Sequence, residues 1–327
     1  MNYYCTLFDS FYLSRGLAMY ESMKDQSNNF HLFIFAFDDL SFEILQKLNL
    51  DFTTVISLDQ FETDELREVK KNRTTAEYCW TCTPSTISYI LKNYDVPHCT
   101  YIDADLYFYS DPAVLISELE ESRKGVLITE HRYSPLPRLY EEKRGGRFCV
   151  QFITFLNNDN SLQVLENWRQ QCITWCYARY EEGKFGDQKY LDDWPSTYPN
   201  IHILQHQGGG IAPWNLTQYN FSKDGNSLKG KVRKNRSEFN VVFFHFQYVK
   251  FLPDSSCDIG WYYISGIVRK LFYKPYLKKI EDIEKKIRNL DVNYKTGLTT
   301  FQTNNLKNFL KAGFKKTFGY NIIKLKE

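Results

Sequence analysis

The sequence predicts an α/β protein in which a mostly parallel sheet is flanked by helices and followed by a basic helical extension. Three observations support this prediction. Short apolar segments alternate with helical patterns over the first two thirds of the chain, two acidic residues follow one apolar segment directly, and basic residues collect near the C-terminus. Alternation of this kind is typical of sheets that carry helices on both faces.

The predicted strands are short apolar runs that end in turns or lead into helical patterns. They are expected at residues 3–8, 31–37, 53–58, 98–102, 126–129, 150–156, 201–204 and 241–246. The predicted helices have apolar residues at three- and four-residue spacing. They are expected at residues 14–23, 41–48, 83–93 and 161–180. Pro84 then lies in the first turn of a helix, where its missing N–H costs little.

The composition is that of a soluble globular protein with one large or two modest domains. The chain has 327 residues, of which 43% are hydrophobic and 24% charged. A formal net charge of +2 argues against nucleic-acid binding by the chain as a whole. The N-terminus lacks the basic and apolar regions of a secretory signal. We therefore expect a cytoplasmic protein whose eight cysteines stay reduced.

The C-terminal segment differs from the rest of the chain in charge. Residues 265–327 contain fifteen Lys or Arg against five Asp or Glu, a net charge of +10, while the remainder is net negative. Two amphipathic helices are expected there, over 277–290 and 306–318. We therefore divide the chain into a domain at 1–260 and a basic amphipathic tail at 261–327. The tail is expected either to contact the inner face of a membrane peripherally or to pack on the domain as a cap.

Two carboxylates, Asp103 and Asp105, directly follow a predicted buried strand. Charges are rarely buried unless they are paired or bind an ion. In open α/β sheets the ligand crevice lies beyond the carboxyl ends of the strands, and a divalent cation can bridge carboxylates to phosphate oxygens. The pair therefore predicts a site for a metal and a diphosphate. The alternative is a turn in which Asp105 and Asp111 cap the backbone.

Several segments, in this order, resemble the GT-A class of glycosyltransferases and, within it, bacterial enzymes related to family 8 that act in surface polysaccharide synthesis. The matching segments extend to about residue 252 and read CTLFDSFYLSRGLAMYESM, EYCWTCTPSTISYIL, YIDADLYFYSDP, FCVQFITFLNND, GKFGDQKYLDDWP, HQGGGIAPWN and FFHFQ. The resemblance implies a Rossmann-like GT-A catalytic domain. It also implies transfer of a sugar from a nucleotide-sugar, with a UDP-hexose favoured, to a saccharide or lipid-linked saccharide acceptor.

The resemblance places the metal ligands at Asp103, Asp105 and a later histidine, with Mn²⁺ or Mg²⁺ as the cation. His245 is favoured because it ends an apolar strand at the expected distance from the preceding motif. His206 is the alternative because it opens a segment similar to the family's ligand motif, although Ala212 stands where that motif has lysine.

On the nucleotide side, the resemblance implies that the loop after the first strand lines the pocket. Thr6 and Asp9 would contact the base or ribose, and Tyr12 would be available for stacking. Arg15 would contact phosphate, unless it is a charge on a helix surface. Donor contacts are also implied for Ala104, Trp214 and Asn215.

On the sugar side, the motif Gly-Asp-Gln supplies the catalytic residues that the resemblance implies. Asp187 would contact sugar hydroxyls, Gln188 would stabilise the reacting carbon electrostatically, and Gln151 would line the donor sugar. Cys149 stands where an Asn is common. The implied outcome is retention of the anomeric configuration.

Two alternatives belong to other classes of protein. A phosphatase of the haloacid-dehalogenase type also has Asp-x-Asp after a strand, but it expects Thr or Val where this chain has Tyr107. A non-catalytic module that binds nucleotide-sugars would keep the fold and have a damaged site.

Overall fold

The computed structural model describes residues 1–225, 227–295, 297–301 and 306–325. Its strands, numbered along the chain, are β1 (Asn2–Phe8), β2 (Phe30–Ala36), β3 (Thr53–Ser57), β4 (His98–Ile102), β5 (Leu106–Phe108), β6 (Val126–Glu130), β7 (Phe148–Leu156), β8 (Ile201–Ile203), β9 (Tyr219–Asp224), β10 (Ser227–Val232), β11 (Glu238–Asn240), β12 (Phe243–His245), β13 (Lys250–Leu252), β14 (Ser256–Asp258) and β15 (Ile322–Lys324). The main sheet has the order β3-β2-β1-β4-β7-β6-β8. All of its strands are parallel except β7, which runs antiparallel to both neighbours. The predicted mostly parallel sheet is confirmed.

Helices follow most of the strands of the main sheet. They are α1 (Leu13–Gln26), α2 (Asp39–Leu48), α3 (Leu58–Phe61), α4 (Asp64–Lys70), α5 (Thr75–Asn93), α6 (Ala113–Ser122), α7 (Pro135–Gly145), α8 (Asp159–Thr174), α9 (Trp194–Thr197), α10 (Gly266–Val268), α11 (Lys274–Leu290) and α12 (Leu306–Phe318). Short 3₁₀ segments lie at Lys189–Asp193 and Leu216–Gln218, and a π-helical turn at Arg269–Tyr273 joins α10 to α11.

Both faces of the main sheet are covered, because successive side chains of a strand point to opposite faces. On β1, Tyr4 and Phe8 belong to an apolar cluster with α1, α2, α6 and α11. Cys5 and Leu7 belong to a second cluster with α5 and α8. A strand that is buried on both faces reads as a continuous apolar run, which explains why the parallel strands were readable from sequence.

Three smaller sheets accompany the main sheet. Strand β5, which follows β4 in the chain, pairs antiparallel with β12. Strands β9, β10 and β11 form an antiparallel sheet that the sequence did not predict as strands. The third sheet has the order β13-β14-β15, so the end of the described chain returns to residues near position 257.

Helix α5 is longer than predicted, and Pro84 lies in its interior rather than in its first turn. The helix begins earlier because Thr74 and Glu77 form a reciprocal capping box at its N-terminus. Helix α8 is shorter than predicted, since it ends at Thr174.

The C-terminal segment packs on the main body of the protein. The apolar face of α11 is buried against α1, with Ile280, Ile283 and Ile287 almost fully inaccessible. At its edge, Lys279 pairs with Glu21 at 2.6 Å. Helix α11 of the tail is therefore built into the core, whereas α12 exposes several large apolar side chains. No helix among the described residues is long and apolar enough to cross a membrane.

Candidate active site

The turn that carries Asp103 and Asp105 is held against a histidine by the pairing of β5 with β12. In this register Leu106 lies opposite His245. The backbone N–H of Phe246 also donates to the carbonyl of Asp105 at 2.9 Å. Residues almost 140 positions apart in sequence are thereby fixed side by side.

The two carboxylates and the imidazole form one compact cluster at the end of β4. Nε2 of His245 lies 3.1 Å from Oδ1 of Asp105 and 3.6 Å from Oδ2 of Asp103. The side chain of His245 is 7% exposed, that of Asp105 13% and that of Asp103 29%. The cluster is therefore buried on the side of His245 and opens to solvent at Asp103. Ala104, between the two carboxylates, is itself buried.

Gln151 fixes the orientation of the His245 ring. Its amide oxygen accepts a hydrogen bond from Nδ1 of His245 at 2.7 Å, which leaves Nε2 directed at the carboxylates. Such a bond selects the tautomer of a ligating histidine and holds its ring. Within the part of the chain that the structure describes, the buried amide nitrogen of Gln151 has no partner.

A bulge in β7 turns Gln151 and Cys149 toward this cluster. The register between β6 and β7 shifts between Leu127 and Thr129, opposite the segment that contains Gln151. Bulges beside active sites commonly redirect side chains in this way. As a result, the thiol of Cys149, one ring nitrogen of His245 and one carboxylate oxygen of Asp103 all lie within 4.8 Å of one another.

Burial and the neighbouring charges shift the pKa values of all three groups of the cluster. Burial raises the pKa of Asp103 to about 6, with the charge of His245 opposing the shift and that of Asp105 adding to it. Burial also acts to raise the pKa of Asp105, but the charge and hydrogen bond of His245 outweigh it and lower that pKa. Burial acts to lower the pKa of His245, and the charge of Asp105 outweighs it and raises that pKa well above its ordinary value. In the absence of a cation, His245 is therefore protonated and paired with Asp105 at neutral pH.

Asp187 lies close to the cluster and is 6% exposed. Burial raises the pKa of Asp187 to about 8, and the negative charge of Asp103 adds to this shift. Burial raises the pKa of Tyr101 well above its ordinary value, and the charges of Asp103 and Asp187 add to this shift. Thr83 on α5 lies near both groups and acts to lower the pKa of Asp187 and of Tyr101. A carboxyl group in this setting holds a proton at neutral pH and can donate a hydrogen bond.

Gln188 follows Asp187 at the start of the 3₁₀ segment. Its amide nitrogen donates to the carbonyl of Gly145 at the end of α7. The backbone N–H of Leu191 donates to the carbonyl of Gln188 at 3.1 Å. These contacts fix the amide between α7 and the loop that carries Asp187.

The loop after β1 lies beside the Asp103–Asp105 turn, because β1 and β4 are neighbours in the sheet. Asp9 accepts from the backbone N–H of Tyr12 at 3.1 Å, and burial raises its pKa. Burial and then the charge of Asp105 raise the pKa of Tyr12 to about 12, so its hydroxyl stays protonated near that carboxylate. The hydroxyl of Thr6 is fully buried, and no described residue hydrogen-bonds to it.

Arg15 is not the helix-surface charge that the sequence left open. It is 2% exposed, and its guanidinium donates to the carbonyls of Phe11 and Val249 at 3.0 and 3.1 Å. The same group lies 4.5 Å from the centre of the Tyr12 ring. Its charge helps to lower the pKa of Asp105. Arg15 thus holds the segments of Phe11 and Val249 together beside the site. Its contact with phosphate stays a prediction.

The structure brings His245 to the carboxylates and places His206 elsewhere. The backbone N–H of His206 donates to Glu118 on α6 at 2.9 Å, and its Nδ1 accepts from the backbone of Gly208 at 3.1 Å. Burial lowers the pKa of His206.

Trp214 and Asn215 are buried and bonded to the protein's own backbone. The indole N–H of Trp214 donates to the carbonyl of His131 at 2.7 Å, and the ring packs edge-on against His245 at 5.3 Å. The amide of Asn215 donates to the carbonyls of His131 and Gly210 at 2.9 and 2.8 Å. Both residues therefore hold the loop beside the cluster. A direct contact with a donor stays a prediction for each.

The donor set fits a divalent cation. Two carboxylates lie 3.1 and 3.6 Å from one histidine nitrogen, and the histidine is oriented by a buried amide. Carboxylate oxygen suits Mg²⁺ and Mn²⁺, while imidazole suits transition metals. The residues of the site therefore match the metal that the sequence predicts.

Sequence reasoning missed three residues of this site. Tyr101 was taken only as part of a strand, Thr83 only as part of a helix, and Cys149 only as a departure from the family's pattern. The polar residues Thr83 and Tyr101 within apolar segments were a readable signal, since buried polar groups usually have partners. The position of Cys149 depends on the bulge in β7, for which the sequence has no marker.

Comparisons with known proteins place the chain among uncharacterized relatives. No protein-family model matches it. The uncharacterized protein YfnF of Bacillus subtilis (strain 168) is 31% identical over 250 residues, which cover 74% of this chain and 80% of YfnF. The uncharacterized protein YfnD of the same organism is 28% identical over 285 residues, which cover 85% of this chain and 88% of YfnD.

Solved structures share the fold at low sequence identity. An active-site mutant of LgtC superposes with a TM-score of 0.50 at 9% identity, over 86% of this chain and 95% of that one. LgtC is a galactosyltransferase whose structure was also solved in complex with donor and acceptor sugar analogues. At this identity the likeness shows the fold alone. The chain therefore has the GT-A fold that the sequence predicted.

Proposed function

This chain belongs to one family with YfnF of Bacillus subtilis, and from that premise and the geometry of the site we propose that it is a metal-dependent glycosyltransferase. It transfers a sugar, with a UDP-hexose as the favoured donor, to a saccharide or lipid-linked saccharide acceptor. The process is cell-surface polysaccharide synthesis, as in the family-8-related enzymes that the sequence resembles.

The observation that carries the proposal is the cluster at the end of β4. Asp103, Asp105 and Nε2 of His245 meet where ligands bind in open α/β sheets. A buried cluster of this kind costs stability unless an ion or partner compensates it. Clusters of buried ionisable groups with displaced pKa values are characteristic of functional sites.

Within this proposal, Asp103, Asp105 and His245 hold Mn²⁺ or Mg²⁺. When bound, the cation neutralises charge that develops on the leaving diphosphate. Thr6, Asp9 and Tyr12 line the nucleotide side.

On the sugar side, Asp187 binds a sugar hydroxyl. Gln188 presents its amide oxygen to the reacting carbon, since its nitrogen is bonded to Gly145. An amide is a poor nucleophile, so we assign Gln188 to electrostatic stabilisation and the reaction to retention of configuration.

The acceptor side involves the tail. Helix α12 exposes Phe309, Leu310, Phe314 and Phe318, with exposed fractions between 45% and 71%. An apolar face within a segment of net charge +10 suits the surface of an anionic membrane. We infer peripheral contact with the inner face of the membrane, where lipid-linked acceptors would be reached.

The donor assignment is tested by thermal shift with UDP-, GDP-, CDP- and dTDP-sugars, each with and without Mn²⁺. We expect one nucleotide class to stabilise the protein only when metal is present, and Asp105→Asn to abolish the shift. Stabilisation by none of these donors would contradict the proposal. Stabilisation without turnover would favour the non-catalytic module, and release of phosphate from phosphomonoesters would favour the phosphatase.

The membrane contact is tested by flotation of the full chain with anionic vesicles. Deletion of the tail is unsuitable, because α11 contributes to the core. We expect Phe314→Ser with Phe318→Ser to reduce flotation, and Val114→Ser, an exposed apolar residue on α6, to have no effect. If the native chain and both variants float to the same extent, the proposed membrane contact through α12 is wrong.

A further inference from the structure

Cys149 is the one sulfur in the cluster of possible ligands among the described residues. Its thiol, a ring nitrogen of His245 and a carboxylate oxygen of Asp103 lie within 4.8 Å of one another. Atoms at such separations can share one ion with small side-chain adjustments, because ligands of one cation lie about 3–4 Å apart when each is about 2.0–2.3 Å from the metal.

The protein holds this thiol in place from several sides. Cys149 is 5% exposed and packs with Tyr133, Ala212 and Trp214. The sulfur also lies within 4.8 Å of a ring nitrogen of His245, so the thiol is placed beside the imidazole.

The imidazole of His245 comes from a different strand, β12, and its orientation is fixed by hydrogen bonding. Gln151, two residues further along β7, binds Nδ1 of His245 and so directs Nε2 to the side of the carboxylates. The buried amide nitrogen of Gln151 has no partner among the described residues, which marks a polar site that the protein alone does not complete.

We propose that Cys149 is a metal ligand together with Asp103, Asp105 and His245. The inference rests on the proposed function, because it concerns the same metal site. Binding replaces the S–H bond of Cys149 and the Nε2–H bond of His245 by bonds to the metal, and both protons pass to solvent. No electron is transferred.

This ligand changes the choice of metal. Thiolate sulfur binds Zn²⁺ and Co²⁺ much better than it binds Mg²⁺, which prefers oxygen ligands. A site of two carboxylates, one imidazole and one thiolate therefore discriminates against Mg²⁺. We infer that, of the cations the proposed function allows, the site favours a divalent transition metal over Mg²⁺.

The test is titration of the metal-free full chain with Co²⁺, followed by absorption spectroscopy. We expect visible d–d bands together with a near-ultraviolet charge-transfer band from sulfur to cobalt. Cys149→Ser and Cys149→Ala should keep the d–d bands and lose the charge-transfer band. Cys99→Ala, which changes a buried cysteine of β4, is the matched control and should keep both.

Competition experiments measure the same ligand through affinity. We expect Cys149→Ser to weaken Zn²⁺ binding by about tenfold or more, and to change Mg²⁺ binding by less than about threefold. If the native protein shows the d–d bands without a charge-transfer band, Cys149 is not a ligand. That result would be compatible with a metal held by Asp103, Asp105 and His245. A charge-transfer band that persists in both Cys149 variants would also overturn it. No binding of Co²⁺ at all would overturn the metal site of the proposed function as well.

Discussion

The amide oxygen of Gln151 accepts a hydrogen bond from Nδ1 of His245 at 2.7 Å, and this contact joins β7 to the β5–β12 pair. It positions Nε2 for the carboxylates that follow β4. The orientation of the proposed metal ligand is thus fixed by the side chain of Gln151, whose backbone carbonyl also accepts from the N–H of Asp103 at 3.1 Å.

Replacing Gln151 by leucine should weaken metal binding by about tenfold to a hundredfold, because the His245 ring loses the contact that holds it. The change also leaves a buried N–H without an acceptor, at a cost of about 1–3 kcal/mol in the free energy of unfolding. Isothermal titration with Mn²⁺ and urea unfolding measure the two effects.

Gln151→Glu is the control for this prediction. A carboxylate keeps the acceptor for Nδ1, and carboxylate–histidine pairs are common beside metals, so we expect metal affinity close to that of the native protein. Native affinity in Gln151→Leu would show that the ring needs no such support.

The two carboxylates of the cluster should differ in their effect on stability when no cation is bound. His245 lies closer to Asp105 than to Asp103, and it lowers the pKa of Asp105 while that of Asp103 is raised to about 6. Asp105→Asn should therefore lower the free energy of unfolding by about 1–3 kcal/mol in chelator at neutral pH, since it unpairs a buried imidazolium. Asp103→Asn should lower the free energy of unfolding by less, because this change removes a charge that burial already disfavours. Equal losses in urea unfolding would argue against the assigned pairing.

Asp187 should make the protein less stable as pH rises. Its folded-state pKa of about 8 lies above the value of about 3.9 expected in the unfolded chain. The proton is thus held more tightly in the folded state, and the resulting stability is lost as pH rises from about 4 through about 8.

Asparagine resembles the protonated carboxyl group of Asp187 but does not titrate, so it adds no pH dependence to the stability. The stability of Asp187→Asn relative to the native protein should therefore increase by about 1 kcal/mol per pH unit in that window. Urea unfolding at several pH values in chelator measures the difference. A difference that does not change with pH would mean that Asp187 is ionised in the folded protein.

Much of the fold was predictable because local patterns decide it. The strands β1, β2 and β4 are apolar runs buried on both faces, and the periodicity of α11 was readable from Ile280, Ile283 and Ile287. The start of α5 was also readable, since Thr74 and Glu77 form a standard capping signal, but the proline at position 84 led to a later start. The interior proline is tolerated here because tertiary packing outweighs local propensity.

Beyond the acidic pair at the strand end, the site was predictable only where a resemblance supplied it. Asp103, Asp105 and His245 were placed together on that basis, and the structure brings them together. The arrangement of Cys149 depends on the bulge in β7, and that of Arg15 on aromatic and carbonyl partners from distant segments. Such contacts depend on register and packing between segments far apart in sequence, which local patterns do not specify.

The central claim is that sugar transfer depends on a cation held by Asp103, Asp105 and His245. The most direct measurement is release of nucleoside diphosphate from each class of nucleotide-sugar, with water as the acceptor, in Mn²⁺ and in chelator. We predict release from one class of donor, complete loss in chelator, and a decrease of about a hundredfold or more in Asp105→Asn. Release that is unchanged in chelator and in Asp105→Asn, or no release from any donor, would contradict the account.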